Sequence, residues 1–206
     1  MVLSGLKYAF RILSHPFDGF WCLKSEKRGN IKSAAILTIL FFITMVVRMY
    51  STGYLFAKIS MENFSVWALL VLMTAIISLY CVVNWAITML ADGKGTLKEI
   101  FLYVAYSLTP MILVNIPITI LSNIFNLDQL AWYSFINTMS IIWTIFLLLV
   151  GNLSIHDYTM TKSFIIVLLT AVFMIVFAVL LVLFGNLVEG LYVLIVSIIR
   201  EILYRI

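Results

Sequence analysis

Five long apolar runs without charge fill most of the chain after residue 31, and short polar segments separate them. The runs cover residues 33–47, 63–91, 100–127, 129–155 and 163–188. A helix needs about 20 apolar residues to cross the hydrocarbon core of a bilayer, which is more than a soluble core helix usually has. Five such runs do not fit inside one soluble domain of 206 residues. The pattern therefore predicts an all-α membrane protein with one domain over 31–186, whose five transmembrane helices lie at about 33–52, 66–90, 99–124, 131–153 and 163–185.

The first 30 residues predict a cytoplasmic segment that lies on the membrane surface rather than across it. Leu3, Leu6, Phe10 and Leu13 recur at helical spacing, and such a stripe suits a helix in the headgroup plane. A proline then breaks this helix and restarts it, because proline is tolerated only in the first helical turn. The restart forms an interfacial motif, in which Ser14 caps the new helix and the aromatic side chains anchor it, and its members are His15, Pro16, Phe17, Asp18, Gly19, Phe20 and Trp21.

Residues 187–206 predict a second amphipathic helix, on the outer face of the membrane. The apolar run between Glu189 and Arg200 has only ten residues, and ten are too few to cross a bilayer. The charged positions gather on one helical arc and the apolar positions fill the other. The alternative is a sixth span that returns Arg200 and Arg205 to the cytoplasm.

The charge distribution predicts an orientation. If the five spans alternate in direction, nine basic residues lie on the side of the N-terminus and four on the other side. Loops rich in Lys and Arg stay in the cytoplasm, so the N-terminus is predicted to be cytoplasmic, with Arg48, Glu189 and Arg200 at the outer interface. A basic cluster before the first span predicts contact with anionic lipid headgroups, at about 1 kcal/mol per residue, and it comprises Lys24, Lys27, Arg28 and Lys32. We expect an integral protein of a bacterial plasma membrane.

Composition narrows the function classes. With 64% hydrophobic and 11% charged residues and a mean hydropathy of +1.15, the chain has no room for a separate catalytic domain and no basic-aromatic pattern for nucleic acid. His156 and Asp157 are adjacent in sequence, so their side chains diverge and do not form a catalytic pair. His15, Asp18 and Cys22 have a helical spacing that invites a metal site, but their mixed ligand types favour ordinary helix-capping residues. We therefore predict no enzyme activity, no metal and no cofactor.

The third span carries two prolines. Pro110 and Pro117 are seven residues apart and lie on nearly one face, with Asn115 between them and Tyr106 one turn earlier. A proline frees the carbonyl of the preceding turn and kinks the helix. Interrupted helices form substrate sites in several transporter folds, and prolines also serve packing alone. These four residues predict either a substrate site or a packing site, and the asparagines of the spans predict hydrogen bonds between helices.

Arg48 falls inside the first predicted span, close to its outer end. A long arginine side chain at this depth can extend to the interface, and Glu62, Asp128 and Glu189 are candidates to pair with it. The spans hold no series of further charged groups distributed in depth. This pattern argues against a proton-coupled pump.

The polar loop 91–99 contains Gly-Lys-Gly-Thr, which is reminiscent of a phosphate-binding loop. The upstream glycine at the required spacing is missing and no strand precedes it. Asp92 and Gly93 predict a turn instead, and Thr96 with Glu99 predicts a capping box that begins the third span.

Four segments occur in an order that resembles a known family: His15-Pro16-Phe17-Asp18-Gly19-Phe20, Glu26-Lys27-Arg28-Gly29, Ala91-Asp92-Gly93-Lys94-Gly95-Thr96 and Tyr106-Ser107-Leu108-Thr109-Pro110. The chain is similar to the bacterial branch of the Yip1-domain family. The resemblance implies five spans, a cytoplasmic N-terminus and contact with a partner or with lipid. Eukaryotic members are implicated in membrane trafficking and in contacts with Rab-type GTPases. This sequence lacks their acidic, aromatic-rich extension and their Asp-Leu-Tyr-Gly-Pro segment, so the resemblance does not extend to a Rab-type GTPase partner.

Three function hypotheses follow. The first is a non-enzymatic scaffold or accessory subunit of a membrane complex, for instance a transport complex, that contacts another integral membrane protein or a second copy of itself. The second is a small transporter or channel built around the proline-kinked third helix. The third is a membrane-shaping or trafficking-type protein whose interfacial helices wedge into the bilayer.

Overall fold

The computed structural model describes residues 2–25, 29–53 and 65–205, which form eight α-helices and one short 3₁₀ turn. The helices are α1 (Val2–Ser14), α2 (Pro16–Ser25), α3 (Ile31–Ser51), α4 (Val66–Leu90), α5 (Leu97–Ser107), α6 (Thr109–Ser122), α7 (Leu130–His156) and α8 (Met160–Arg205). Five helical segments are long and apolar enough to cross a membrane, with α5 and α6 together forming the third. The predicted class, an all-α membrane protein with five spans, is confirmed.

The third span lies at the centre of the bundle. α5 and α6 pack against α3 on one side and α7 on the other, while α4 contacts α5 and α8. The third span is accordingly the most buried of the five, and α4 and α8 are the least buried. We name the end of the bundle with the α4–α5 loop and the α7–α8 turn the basic end, after Lys24, Lys94 and Lys162. The other end is the opposite end.

The two N-terminal helices pack against the bundle. Gly5, Tyr8, Ala9 and Ile12 are buried at i, i+3, i+4 and i+7, the spacing of one helical face. A methyl group on Gly5 would lie 3.3 Å from the hydroxyl of Tyr106 in α5, so the Tyr106 side chain reaches the backbone of α1 at this glycine. The protein-facing side of α1 is therefore not the predicted apolar stripe.

The predicted apolar stripe of α1 divides between protein and surroundings. Leu6 and Leu13 are half-buried against the core, whereas Phe10 is exposed. The side chain of Leu3 lies outside the described residues. Only part of this stripe is free to face the bilayer.

The interfacial motif forms the junction between α1 and α2. Pro16 begins α2 as predicted, but the Ser14 hydroxyl donates to carbonyls of α1 instead of capping α2. Phe20 is completely buried, so the prediction that it anchors in the interface does not hold. Phe17 and Trp21 are exposed on the surface of α2 and remain suited to that role.

The third span breaks at Leu108, between α5 and α6. Pro110 occupies the first turn of α6 and has no N–H to bond the Tyr106 carbonyl. The Thr109 hydroxyl donates to that carbonyl at 2.6 Å. Pro117 lies within α6 without ending it. Only one of the two predicted kinks is thus a helix boundary.

The fifth span and the C-terminal helix form one element. α8 runs from Met160 to Arg205 without interruption, whereas the sequence predicts an end near 185 and a separate helix after it. The described part of the chain therefore makes no sixth crossing. Its buried side chains lie near its start, at Ser163, Ile166 and Thr170.

Candidate functional site

Three segments meet at the basic end around Asp157. This residue follows α7 with a left-handed backbone (φ 55°) and its N–H bonds the Leu153 carbonyl. Its carboxylate lies 2.7 Å from Lys24 Nζ at the end of α2 and 3.3 Å from Lys94 Nζ in the α4–α5 loop. The hydrogen bond from Lys24 lowers the pKa of Asp157 below its ordinary value, and Lys94 adds to this effect. The carboxylate therefore joins the N-terminal helices to two connections between spans.

The α4–α5 loop packs directly on His156. The Gly95 N–H donates to His156 Nδ1 at 3.2 Å. A methyl group on Gly95 would lie 2.6 Å from His156 Cε1, and one on Gly93 would lie 2.6 Å from Nδ1. Both glycines are required here by close approach. The imidazole of His156 is buried and serves to hold the loop.

Tyr158 and Lys162 fix the start of α8 on the same loop. The Tyr158 hydroxyl donates to the Ala91 carbonyl at 3.1 Å, and Lys162 Nζ donates to the same oxygen at 2.7 Å. Lys162 Nζ lies 4.5 Å from the centre of the Tyr158 ring, a cation–π arrangement. Burial raises the pKa of the Tyr158 phenol, so it stays a hydrogen-bond donor.

The capping box that the sequence predicts is confirmed. Thr96 precedes α5, and its side chain accepts from the Glu99 N–H at 3.4 Å. Glu99 Oε2 accepts from the Thr96 N–H at 2.8 Å. The Lys-Gly-Thr stretch is thereby a helix start.

A second polar cluster joins α4, α5 and α8 in the interior. The Tyr103 hydroxyl donates to Asn84 Oδ1 at 3.0 Å, and Asn84 Nδ2 donates to Thr170 Oγ1 at 3.1 Å. The hydroxyls of Tyr80 and Tyr103 lie 3.3 Å apart. Asn84, Tyr103 and Thr170 are completely buried. Since α4 and α8 lie at the edge of the bundle, these bonds hold them to the centre.

A third polar cluster lies toward the opposite end, in α3, α6 and α7. Arg48 Nη1 donates to Asn115 Oδ1 and to Asn137 Oδ1, each at 2.8 Å. The guanidinium of Arg48 therefore contacts α6 and α7, and its predicted extension to the interface stays a prediction. Asp128 and Glu189 are exposed and form no ion pair with it. Glu62 lies outside the described residues.

The predicted third-span site is only partly assembled. The hydroxyl of the buried Tyr106 donates to the Gly5 carbonyl at 3.3 Å, and Pro110 is also buried. Asn115 bonds Arg48, whereas Pro117 is exposed on α6. The four residues therefore lie along the span without surrounding one cavity.

The predicted headgroup contacts differ from one lysine to another. Lys24 is engaged by Asp157, so its ammonium is not free for a lipid phosphate. Lys32 is exposed, and Lys27 and Arg28 lie outside the described residues. Glu189 and Arg200 are exposed on α8. Among the described residues, no group of three metal-ligating side chains comes together, and His15 Nδ1 instead lies 3.0 Å from Ser14 Oγ.

Sequence reasoning missed the roles of Tyr103 and Asp157. An aromatic residue in an apolar run has no pattern that separates a hydrogen-bonded phenol from a lipid-facing one. Gly93 and Gly95 of the α4–α5 loop were a usable signal for the close packing next to Asp157, because glycines often mark a close backbone approach.

Comparison with known proteins gives one match. The family model of the Yip1 domain matches residues 10–184. No curated protein and no solved structure matches the chain. The match leaves out α1 before residue 10 and α8 after residue 184, and it includes the other six helices in full. The chain therefore belongs to the Yip1-domain family of membrane proteins.

Proposed function

We propose that this protein is a non-enzymatic scaffold or accessory subunit of a membrane complex, and that α8 contacts another integral membrane protein. The observation that carries the proposal is the exposure of the far part of α8, which follows Thr170. Beyond Thr170 its side chains are exposed almost without exception. Apart from the adjoining residues and backbone of α8 itself, no atom of the described residues lies within 4 Å of a methyl group built on Gly185 or Gly190.

The length of α8 exceeds what a bilayer covers. Its 46 residues give a helix of about 69 Å, whereas the hydrocarbon core is about 30 Å thick. The part that follows Leu187 remains apolar, with exposed Leu191, Leu194, Ile195 and Ile198. Leaving this surface in water would cost about 25 cal/mol per Å². It therefore needs a cover other than the bilayer core.

The apolar surface after Leu187 is better covered by another protein than by the membrane surface, because α8 continues without a break. A helix that turns into the headgroup plane needs a break, as α1 and α2 have at His15. α8 has no such break between Leu187 and Arg205. Glu189, Arg200 and Glu201 are exposed along the same segment and offer charges to a partner. The segment also lies beyond residue 184, where the match to the family domain ends, which suits a contact particular to this chain.

Orientation and location belong to the same proposal. We place the basic end in the cytoplasm of a bacterial cell, because basic connections between spans stay inside. The far part of α8 then lies outside the plasma membrane. The exposed Lys32 contacts anionic headgroups on the inner side.

Site-specific photo-crosslinking in native membranes tests the contact. A photoreactive residue at Ile195 is expected to give an adduct with a second integral membrane protein. The matched control is the same residue at Val82, an exposed position of α4, where only lipid adducts are expected. Adducts of Ile195 with lipid alone, or only with a second copy of this chain, would contradict the proposal.

A further inference from the structure

The polar cluster around Arg48 has hydrogen-bond donors left over. Both of its hydrogen bonds to described residues use one nitrogen, Nη1, whereas a guanidinium carries five N–H groups. Because arginine can only donate, the oxygens of Asn115 and Asn137 face it and their amide nitrogens point elsewhere. Asn115 is completely buried, and its Nδ2 has no partner among the described residues. The remaining donors of Arg48 are the ones that a further acceptor can reach, because the Arg48 side chain is half-buried whereas Asn115 is completely buried.

Within the described residues, the cluster also lacks a negative charge. Amide oxygens are neutral, and no carboxylate in the described part of the chain forms an ion pair with Arg48. A charged side chain within a membrane-spanning segment is costly unless an opposite charge accompanies it. Spare donors together with an unbalanced positive charge define a site for an oxyanion.

The position of Arg48 indicates where that oxyanion comes from. Arg48 belongs to the last turn of α3, which ends at Ser51, so it lies near the membrane surface at the opposite end. Its side chain is half-buried. The neighbouring Val47 and Ile116 are 42% and 48% exposed, and both present apolar surface to lipid tails. The cluster is therefore open toward the bilayer.

We propose that Arg48, with Asn115 and Asn137, binds the phosphate of a phospholipid headgroup at the opposite end of the bundle. The phosphate supplies the missing charge and accepts from the half-buried Arg48, which Asn115 and Asn137 hold in place. The acyl chains of the same phospholipid cover the apolar surface of α3 and α6. This site is separate from the basic cluster of the N-terminal segment and from α8. A failure of the scaffold proposal would therefore leave the lipid site unaffected.

Native mass spectrometry of the full chain in a phosphate-free detergent tests the site, with phosphatidylglycerol as the probe. The variant Arg48→Gln is expected to weaken retention of one lipid by about tenfold or more, since it removes a charge-assisted hydrogen bond. Arg200→Gln is the matched control, because Arg200 is exposed on α8, and it is expected to retain lipid like the wild type.

A second variant keeps the test decisive if Arg48→Gln fails to fold. Asn115→Asp places a carboxylate beside Arg48 and supplies the counter-charge from within the chain. It is expected to stay folded and to lose the tightly held lipid. Equal lipid retention by the wild type and Asn115→Asp would overturn the proposal. Stabilisation by inorganic phosphate alone, to the same melting temperature as with phosphatidylglycerol, would overturn the lipid assignment.

Discussion

At the scale of single residues, Asp157 joins three separate parts of the chain with one carboxylate. Its partners, Lys24 and Lys94, come from α2 and from the α4–α5 loop. The ion pairs are partly exposed, and such pairs contribute little individually. The left-handed backbone of Asp157 also ends α7. One residue thus determines both where a span stops and what packs against its end.

The lowered pKa of Asp157 predicts a pH dependence of stability. A carboxyl group with a lower pKa in the folded state binds protons less readily than in the unfolded state. The stabilisation that Asp157 gives is therefore complete above the pKa of this carboxyl group in the unfolded chain. It is lost as the pH falls through that value to the lowered pKa of the folded state. We expect the melting temperature of the wild type to fall more steeply than that of Asp157→Asn, measured in detergent between neutral pH and about pH 3.

A matched control for this prediction is Asp92→Asn. Asp92 also has a left-handed backbone, with φ 57°, and asparagine tolerates that conformation as well as aspartate does. Asp92 makes no ion pair within the described residues. A pH profile of Asp157→Asn that matches both Asp92→Asn and the wild type would show that the ion pairs do not stabilise the fold.

At the scale of helices, hydrogen bonds between buried side chains attach the outer helices to the centre. Asn84 of α4 accepts from Tyr103 and donates to Thr170. Replacing it with alanine leaves both hydroxyl groups without this partner. Since side-chain bonds in membranes contribute about 0.6 kcal/mol on average and up to about 1.7, we expect Asn84→Ala to lower the free energy of unfolding by about 1–3 kcal/mol.

Unfolding in mixed micelles would measure this change, with Asn186→Ala as the control. Asn186 is exposed on α8, so its replacement is expected to leave the unfolding free energy unchanged. If both variants unfold alike, the cluster of Asn84 does not hold α4 and α8 in place.

The sequence predicts the spans far better than it predicts which faces touch protein. The second span was expected at 66–90, and α4 occupies Val66–Leu90, because a helix needs a long apolar run to cross the hydrocarbon core and such a run is visible in the sequence. Lipid tails and protein interior are both apolar, so periodicity does not separate the buried Ile12 from the exposed Phe10. Similarly, the partners of Arg48 come from two distant helices, and local spacing carries no record of them.

At the scale of the whole molecule, the structure divides into a packed bundle and a projecting helix. The bundle holds the buried side chains of α1 to α7 and of α8 as far as Thr170. The remainder of α8 is almost entirely exposed. Under the proposed function, stability and partner contact therefore depend on different parts of the chain.

Ending the chain after Asn186 would separate these two properties. Because the removed segment contributes no buried side chain among the described residues, we expect the melting temperature of the purified protein to stay within error of the wild type. The truncated chain is also expected to lose its partner on purification from native membranes. A large drop in melting temperature would show that the segment after residue 186 stabilises the bundle itself.

The docking of the N-terminal helices has a consequence for the order of assembly during synthesis. Tyr106 bonds Gly5 across 101 positions, and Phe17 of α2 packs edge-on against Phe146 of α7. At about 5–20 residues per second, the ribosome needs on the order of ten seconds between making α2 and making its docking surface. During this interval the apolar side chains of α1 and α2 do not yet have that docking surface. The first helices to be made are therefore among the last to reach their final positions.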